Sequence, residues 1–133
     1  MAEQRLRPPM RSPLGRAIGL GSAKEGVEHW WALRVTSIAL VPLVLWFVAA
    51  VIGLAGAEHG VLVDWLSQPL PAVLLVLLLI ATFYHSALGL QVVIEDYIDN
   101  EGMRLALGII VRLAHVLLAA LGIFAVLRIA IGP

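Results

Sequence analysis

The residues that could take part in chemistry lie in one long apolar stretch. They are an ionisable histidine inside the stretch, and an acid and a phenol at its end. The histidine is His85, and the closing pair is Asp96 and Tyr97. Ionisable residues within a membrane helix usually meet a partner or a cofactor. Eleven residues of ideal helix turn through about 1100°, so His85 and Asp96 are expected on one face, about 16 Å apart along the axis. This spacing predicts a buried metal cofactor with a polar small-molecule site near the water boundary.

Each of these residues has two interpretations. The neutral imidazole of His85 can be an axial haem ligand, and Gly89 one turn later would let a flat macrocycle approach the backbone. Alternatively, His85 forms a hydrogen bond to a neighbouring helix and Gly89 is a helix-packing residue. Tyr97 can donate a hydrogen bond to a quinone carbonyl while Asp96 helps to deliver protons. Alternatively, they are an interfacial acid and an aromatic-belt tyrosine.

The composition identifies the class of protein. Of the 133 residues, 61% are hydrophobic and 14% are charged, compared with about 25% charged in typical soluble domains. The net charge is zero, which gives no indication of nucleic-acid binding. The absence of cysteine excludes disulfides, thiolate zinc sites and cysteine-ligated iron–sulfur clusters. We therefore expect an integral membrane protein whose soft metal ligands are histidines.

Three apolar stretches must position these side chains. We predict an all-α membrane protein with three transmembrane helices, at about residues 33–57, 70–95 and 103–131. Each stretch is long enough for a hydrocarbon core of about 30 Å. Pro42 lies inside the first stretch and is a candidate for a kink.

The first 30 residues have a different composition, with prolines, glycines and several basic residues. We predict an extended cytoplasmic arm over residues 1–30, followed by a membrane domain over residues 31–133. The loop between the first two spans, residues 56–68, has no Lys or Arg, so the positive-inside rule places the N-terminus in the cytoplasm. Three spans then bring Asp96 and Tyr97 to the cytoplasmic side. An Arg-rich transit peptide is the alternative interpretation of the arm.

The sequence around His85 resembles a known family. Residues 85–97, His-Ser-Ala-Leu-Gly-Leu-Gln-Val-Val-Ile-Glu-Asp-Tyr, are similar to the second helix of the small membrane anchor subunit of succinate dehydrogenase (complex II). The arm and first span agree, with Ser-Pro-Leu-Gly-Arg at 12–16, Gly-Leu-Gly-Ser-Ala-Lys-Glu-Gly at 19–26 and His-Trp-Trp-Ala-Leu-Arg-Val-Thr-Ser at 29–37. The chain resembles the bacterial form of this subunit over most of its length.

The resemblance implies a role for each matching residue. His85 would be an axial ligand to the iron of haem b. Tyr97 would donate a hydrogen bond to a carbonyl of ubiquinone, the substrate, and Asp96 would support that pocket. Arg34 would lie near the haem propionates, whose carboxylates suit its charge and its fixed donors. A snorkelling anchor at the membrane surface is the other interpretation of Arg34.

The resemblance also implies an assembly. The chain would be an anchor of succinate:ubiquinone oxidoreductase in the bacterial inner (cytoplasmic) membrane, with the mitochondrial inner membrane as the alternative. Its partners would be a flavoprotein subunit, an iron–sulfur subunit and a second membrane anchor (cytochrome b) subunit that provides the other haem ligand. FAD and the iron–sulfur clusters would be bound only by partners. The chain would help to pass electrons from the iron–sulfur subunit to ubiquinone and would not be catalytic alone.

Other functions remain open from the residues alone. An anchor of a fumarate reductase has the same architecture and runs in reverse. A structural or transport subunit without a redox cofactor would use His85 and Arg112 as polar contacts within the membrane. A small b-type cytochrome would pair His85 with His115, which lies at a similar depth in the third span. His29 and His59 are expected at the surface.

Overall fold

The computed structural model describes residues 24–132, and over this range the chain forms four helices joined by short turns. They are α1 (Lys24–Gly53), α2 (His59–Leu66), α3 (Pro69–Tyr97) and α4 (Glu101–Ile131). Three of them, α1, α3 and α4, are long and apolar enough to cross a membrane. At 1.5 Å per residue each is over about 40 Å long, which exceeds a hydrocarbon core of about 30 Å. The predicted all-α class with three spans is confirmed.

Local sequence explains where the helices α3 and α4 begin and end. Pro69 is the first residue of α3, where its fixed φ and its missing N–H cost nothing. Asn100 caps α4, because its side-chain oxygen accepts a hydrogen bond from the backbone N–H of Met103 at 3.0 Å. Gly132, with φ of 83°, follows the end of α4. Only residues 98–100 separate α3 from α4, and so short a connection makes the two helices antiparallel neighbours.

The first span has different boundaries from those predicted. α1 begins at Lys24, inside the stretch interpreted as an extended arm, and ends at Gly53 instead of residue 57. Hydropathy marks the apolar part of a helix, whereas backbone hydrogen bonding continues into polar turns. Pro42 lies within α1, and the helix is continuous through it. The rest of the predicted arm, residues 1–23, lies outside the described residues.

A short helix that the sequence analysis missed lies between the first two spans. α2 occupies the stretch that was interpreted as a loop. Its Trp65 stacks on Trp46 of α1, with ring centroids 5.9 Å apart and planes inclined by 19°. Just after it, the hydroxyl of Ser67 donates a hydrogen bond to the carbonyl of Val63 at 2.8 Å and lies 3.3 Å from the carbonyl oxygen of Ile129 in α4. Eight residues are too few for periodicity to distinguish such a helix from a loop.

The helix α3 is central. It packs against α1 on one side and against α4 on the other, whereas α1 and α4 do not pack against each other within residues 24–132. Gly122 allows a close approach at the α3–α4 contact, since a Cβ there would lie 3.2 Å from Cδ1 of Leu79. The three long helices therefore form a row, and α3 has two different contact faces.

Most large apolar side chains in the described range are exposed on the single chain, and nearly all the rest are only half-buried. Among the described residues the only buried hydrophobic side chains are Ala72 and Leu78, while Ile38 and Ile52 are each 70% exposed. A soluble monomer rarely exposes contiguous apolar surface on this scale. Lipid and other membrane subunits must cover it.

Candidate functional site

His85 lies half-buried where α3 meets α1. Its Nδ1 atom is 2.9 Å from Oγ1 of Thr36 on α1. This is the hydrogen bond to a neighbouring helix that the packing interpretation predicts. The other ring nitrogen, Nε2, makes no hydrogen bond to any residue in the range 24–132. The described part of the chain therefore holds one nitrogen of His85 and leaves the other without a partner.

The Thr36 hydroxyl is itself fixed by its own helix. Its Oγ1 lies 2.7 Å from the carbonyl oxygen of Ala32 and 3.1 Å from that of Leu33. Gly89, one turn after His85, adds open space on α3, because a Cβ built there would meet nothing within 4 Å. The surroundings of His85 thus combine one fixed polar contact with room for a flat group beside the backbone.

Asp96 and Tyr97 are the last two residues of α3. The helix is continuous from His85 to this pair, so the axial separation of about 16 Å that was expected on an ideal helix applies. Both side chains are exposed, Tyr97 to 81%. Neither makes a side-chain hydrogen bond within the described part of the chain. A small molecule held by this pair would need further walls from a neighbouring subunit.

Arg34 is exposed on α1, with its guanidinium carbon 5.2 Å from the ring centroid of Trp30. This is cation–π geometry. Two residues of helix turn through about 200°, so Arg34 faces away from the side of α1 on which Thr36 contacts His85. The charge of Arg34 is available to a group outside the described residues.

His29 differs from its expected place at the surface. It is half-buried, and its Nε2 atom is buried without a hydrogen-bond partner among the residues described. Seven residues of helix bring a side chain back to nearly the same face, so His29 and Thr36 lie on one side of α1. The seven-residue spacing between His29 and Thr36 is the feature of the sequence that predicts this placement. His59 is exposed at the start of α2, as expected.

The opposite face of α3 holds a second polar group. The guanidinium Nη2 of Arg112 on α4 donates a hydrogen bond to Oε1 of Gln91 at 2.7 Å, and Nε2 of Gln91 donates to Oε1 of Glu95 at 2.7 Å. This series of hydrogen bonds leads from Arg112 towards the end of α3. The sequence predicted Arg112 as a polar contact within the membrane, and its partner Gln91 was not predicted.

His115 lies on the same side of α3 as Arg112. Its Nδ1 is 2.8 Å from the carbonyl oxygen of Val111, which can only accept, so Nδ1 donates. The ring packs edge-on against Phe83, with centroids 6.0 Å apart. Both His115 and Arg112 line a cavity of about 510 Å³ between α3 and α4. His85 contacts α1 instead, so the structure does not bring His85 and His115 to one face of α3.

Known proteins match this chain over most of its length. Residues 8–126 match the family described as succinate dehydrogenase/fumarate reductase transmembrane subunit. The chain is similar to the succinate dehydrogenase hydrophobic membrane anchor subunit of Rickettsia bellii (strain RML369-C), with 36% identity over 107 residues, 80% of this chain and 86% of the relative. The subunit of the same description from Paracoccus denitrificans is 31% identical over 121 residues, 91% of this chain and 93% of the relative.

Proposed function

Because this chain belongs to the succinate dehydrogenase/fumarate reductase transmembrane subunit family, we propose that it contributes a haem b ligand and part of the ubiquinone-reduction site to a succinate:ubiquinone oxidoreductase. The chain is a membrane anchor subunit with three helices able to span a bilayer. As an anchor it works in a complex with other subunits. The proposed partners are a flavoprotein, an iron–sulfur protein and a second membrane subunit with the opposite haem ligand.

The proposal for haem depends on the surroundings of His85. An axial ligand needs a ring nitrogen with a free lone pair, and the ring is usually oriented by a hydrogen bond from its other nitrogen. His85 has this arrangement, with Nδ1 bonded to Thr36 and Nε2 unoccupied within the described range. Open space at Gly89 suits a planar group. When bound, haem b would supply one-electron chemistry, while this chain would ligate it and set its surroundings.

One exposed cationic side chain of α1 suits the propionate groups at the edge of a haem. The exposed Arg34 can pair with a propionate, as fixed guanidinium donors match a carboxylate.

The proposal for quinone depends on the end of α3. Tyr97 presents a phenol that can donate a hydrogen bond to a quinone carbonyl, and Asp96 beside it can pass protons from water. Their exposure is what a site completed by neighbouring subunits requires. With the N-terminus in the cytoplasm of a bacterium, this end of α3 would lie on the cytoplasmic side of the inner membrane.

The decisive experiment is a reduced-minus-oxidised spectrum of the purified complex, for wild type, His85→Ala and His115→Ala. We expect a b-type haem signal that is lost or shifted in His85→Ala and retained in His115→Ala, because His115, on α4, packs against the face of α3 opposite to its contact with α1. A normal signal in His85→Ala would overturn the assignment of the ligand. A wild-type complex without any haem signal would leave a membrane anchor and refute the proposed cofactor.

A further inference from the structure

We propose that Thr36 is a positioning residue that selects Nε2 of His85 as the haem-binding atom and makes that nitrogen a stronger donor to iron. The inference rests on the proposed function, since it concerns the ligand of the same haem. Neither the family resemblance nor the spacing of residues in the sequence assigns a role to Thr36. The role of Thr36 is inferred from the position of its hydroxyl, which lies between a carbonyl of its own helix, α1, and His85 on α3.

The number of protons decides which tautomer the ring adopts. The Thr36 hydroxyl has a single proton, and the carbonyl oxygens of Ala32 and Leu33 can only accept. Oγ1 of Thr36 lies 2.7 Å from the carbonyl oxygen of Ala32, so the hydroxyl proton points to a carbonyl of its own helix. Oγ1 then faces His85 with a lone pair, so the atom 2.9 Å away, Nδ1, must donate. A neutral imidazole has one N–H, and Nε2 is therefore the nitrogen with the free lone pair.

The other tautomer would disrupt this arrangement. If Nδ1 lacked its proton, the Thr36 hydroxyl would have to turn and donate to the ring. The carbonyl oxygens of Ala32 and Leu33 would then face an oxygen without a proton between them. Hydroxyl-to-carbonyl bonds of this kind within a helix are common for threonine, and the branched Cβ restricts the side chain to few rotamers. Thr36 is thus a fixed acceptor supplied by α1 to a ring on α3.

A fixed acceptor at Nδ1 has a chemical consequence for a ligand at Nε2. Partial transfer of the Nδ1 proton towards Oγ1 puts negative charge on the ring and raises the basicity of Nε2. A more basic ligand stabilises ferric over ferrous iron, which lowers the midpoint potential of the haem. Loss of the acceptor should therefore raise that potential and weaken haem retention.

The chain offers a matched control one residue away. The hydroxyl of Ser37 donates to the carbonyl of Leu33 at 2.7 Å, so it makes the same bond within α1. Ser37 is exposed and has no hydrogen bond to His85. Ser37→Ala removes a hydroxyl from α1 without touching the acceptor of His85.

The test uses the whole complex with Thr36→Val, Thr36→Ser and Ser37→Ala. Valine keeps the shape of threonine and removes only the acceptor, and serine restores it. We expect Thr36→Val to raise the haem midpoint potential and to retain haem at least about tenfold less well against a competing haem-binding protein, the lower end of outer-shell effects at metal sites. Thr36→Ser and Ser37→Ala should match wild type in both measurements. Thr36→Ala provides the same comparison if the valine variant fails to assemble.

Several results would overturn the role of Thr36. One is an unchanged potential and unchanged retention in Thr36→Val, in a complex where His85→Ala loses haem; the proposed function would then stand without this inference. Another is an equal change in Thr36→Val and Thr36→Ser, which would show that packing and not the hydroxyl matters. A normal haem in His85→Ala would instead refute the proposed function itself.

Discussion

At the level of single residues, the two polar positions on α3 have opposite surroundings. His85 is half-buried and bonded to another helix, whereas Tyr97 is 81% exposed at the end of its own helix. A ligand that must hold a cofactor in one orientation benefits from a fixed ring. A donor that must meet an arriving substrate benefits from a position that substrate can reach. Exposure of Tyr97 on the single chain therefore agrees with a role completed by other subunits.

Tyr97→Phe tests the proposed donor to quinone. Removal of one hydrogen bond of about 1 kcal/mol should lower the quinone reductase activity of the complex by about fivefold, while the haem spectrum and the assembly stay intact. Succinate-driven reduction of a water-soluble ubiquinone analogue would measure the activity.

The control for Tyr97→Phe is Tyr84→Phe. This change removes the same type of group, a phenolic hydroxyl, from a tyrosine on the same helix. Tyr84 lies beside the cavity between α3 and α4. We expect the activity of this variant to stay near wild type. Unchanged turnover in Tyr97→Phe would return Tyr97 to the aromatic belt.

The sequence alone predicted some of these residues and not others. The relative positions of His85, Asp96 and Tyr97 could be predicted because all three lie on one helix. Within a helix, the angle and the axial distance between two residues follow from their separation in sequence. The contact of His85 with Thr36 depends on how far α1 slides along α3. Thr36 and His85 are 49 residues apart in the chain. The relative position of their two helices is set by tertiary packing, which has no local signature in the sequence.

At the level of elements, α3 provides two polar contacts on two faces. The His85 hydrogen bond connects it to α1, and the Arg112 hydrogen bond to Gln91 connects it to α4. A guanidinium facing lipid without a partner is costly. The bond between Gln91 and Arg112 therefore contributes to the packing of α4 on α3.

A double-mutant cycle with Gln91→Leu and Arg112→Leu tests this contribution. Hydrogen bonds between membrane helices are worth about 0.6 kcal/mol on average, so each single change should lower the thermal stability of the complex slightly. Gln91→Leu should cost more than Arg112→Leu, because it leaves the charge in place without its partner. The double variant should lose less than the sum of the two, as measured by thermal unfolding in detergent. Strictly additive losses would contradict a direct interaction.

The elements were predictable to the extent that they are long and apolar. Hydropathy located all three spans, since a membrane helix needs about 20 apolar residues in sequence. It missed α2 and placed the start of α1 too late, because neither feature is apolar over a sufficient length. The packing of Trp65 on Trp46 stabilises α2 through tertiary contact, and such a contact has no local signature.

At the level of the whole molecule, exposed apolar surface dominates. Lipid can cover a uniformly apolar side, but it cannot satisfy Nε2 of His85 or the Arg34 guanidinium. Both groups lie towards the α1 end of the row of helices, His85 at the contact of α3 with α1 and Arg34 on α1 itself. This side is where we expect the second membrane subunit to pack.

The isolated chain should therefore be unstable. Expressed without its partner subunits, we expect it to be degraded or to aggregate on extraction, and co-expression with the partners and haem should restore it by mass action. Helical circular dichroism and the lifetime against protease would follow this in detergent. A haem-free monomer that extracts in stable, folded form would contradict the expectation.

The row arrangement of the helices has a consequence for the order of biogenesis. Each packed pair of spans, α1 with α3 and α3 with α4, consists of neighbours along the chain. Chains are synthesised from the N-terminus, and early segments can fold first. The His85–Thr36 contact needs only the first two spans, so this chain's part of the proposed haem site can form while the last helix is still being translated. The third span would then dock onto a hairpin that is already competent to meet its partner.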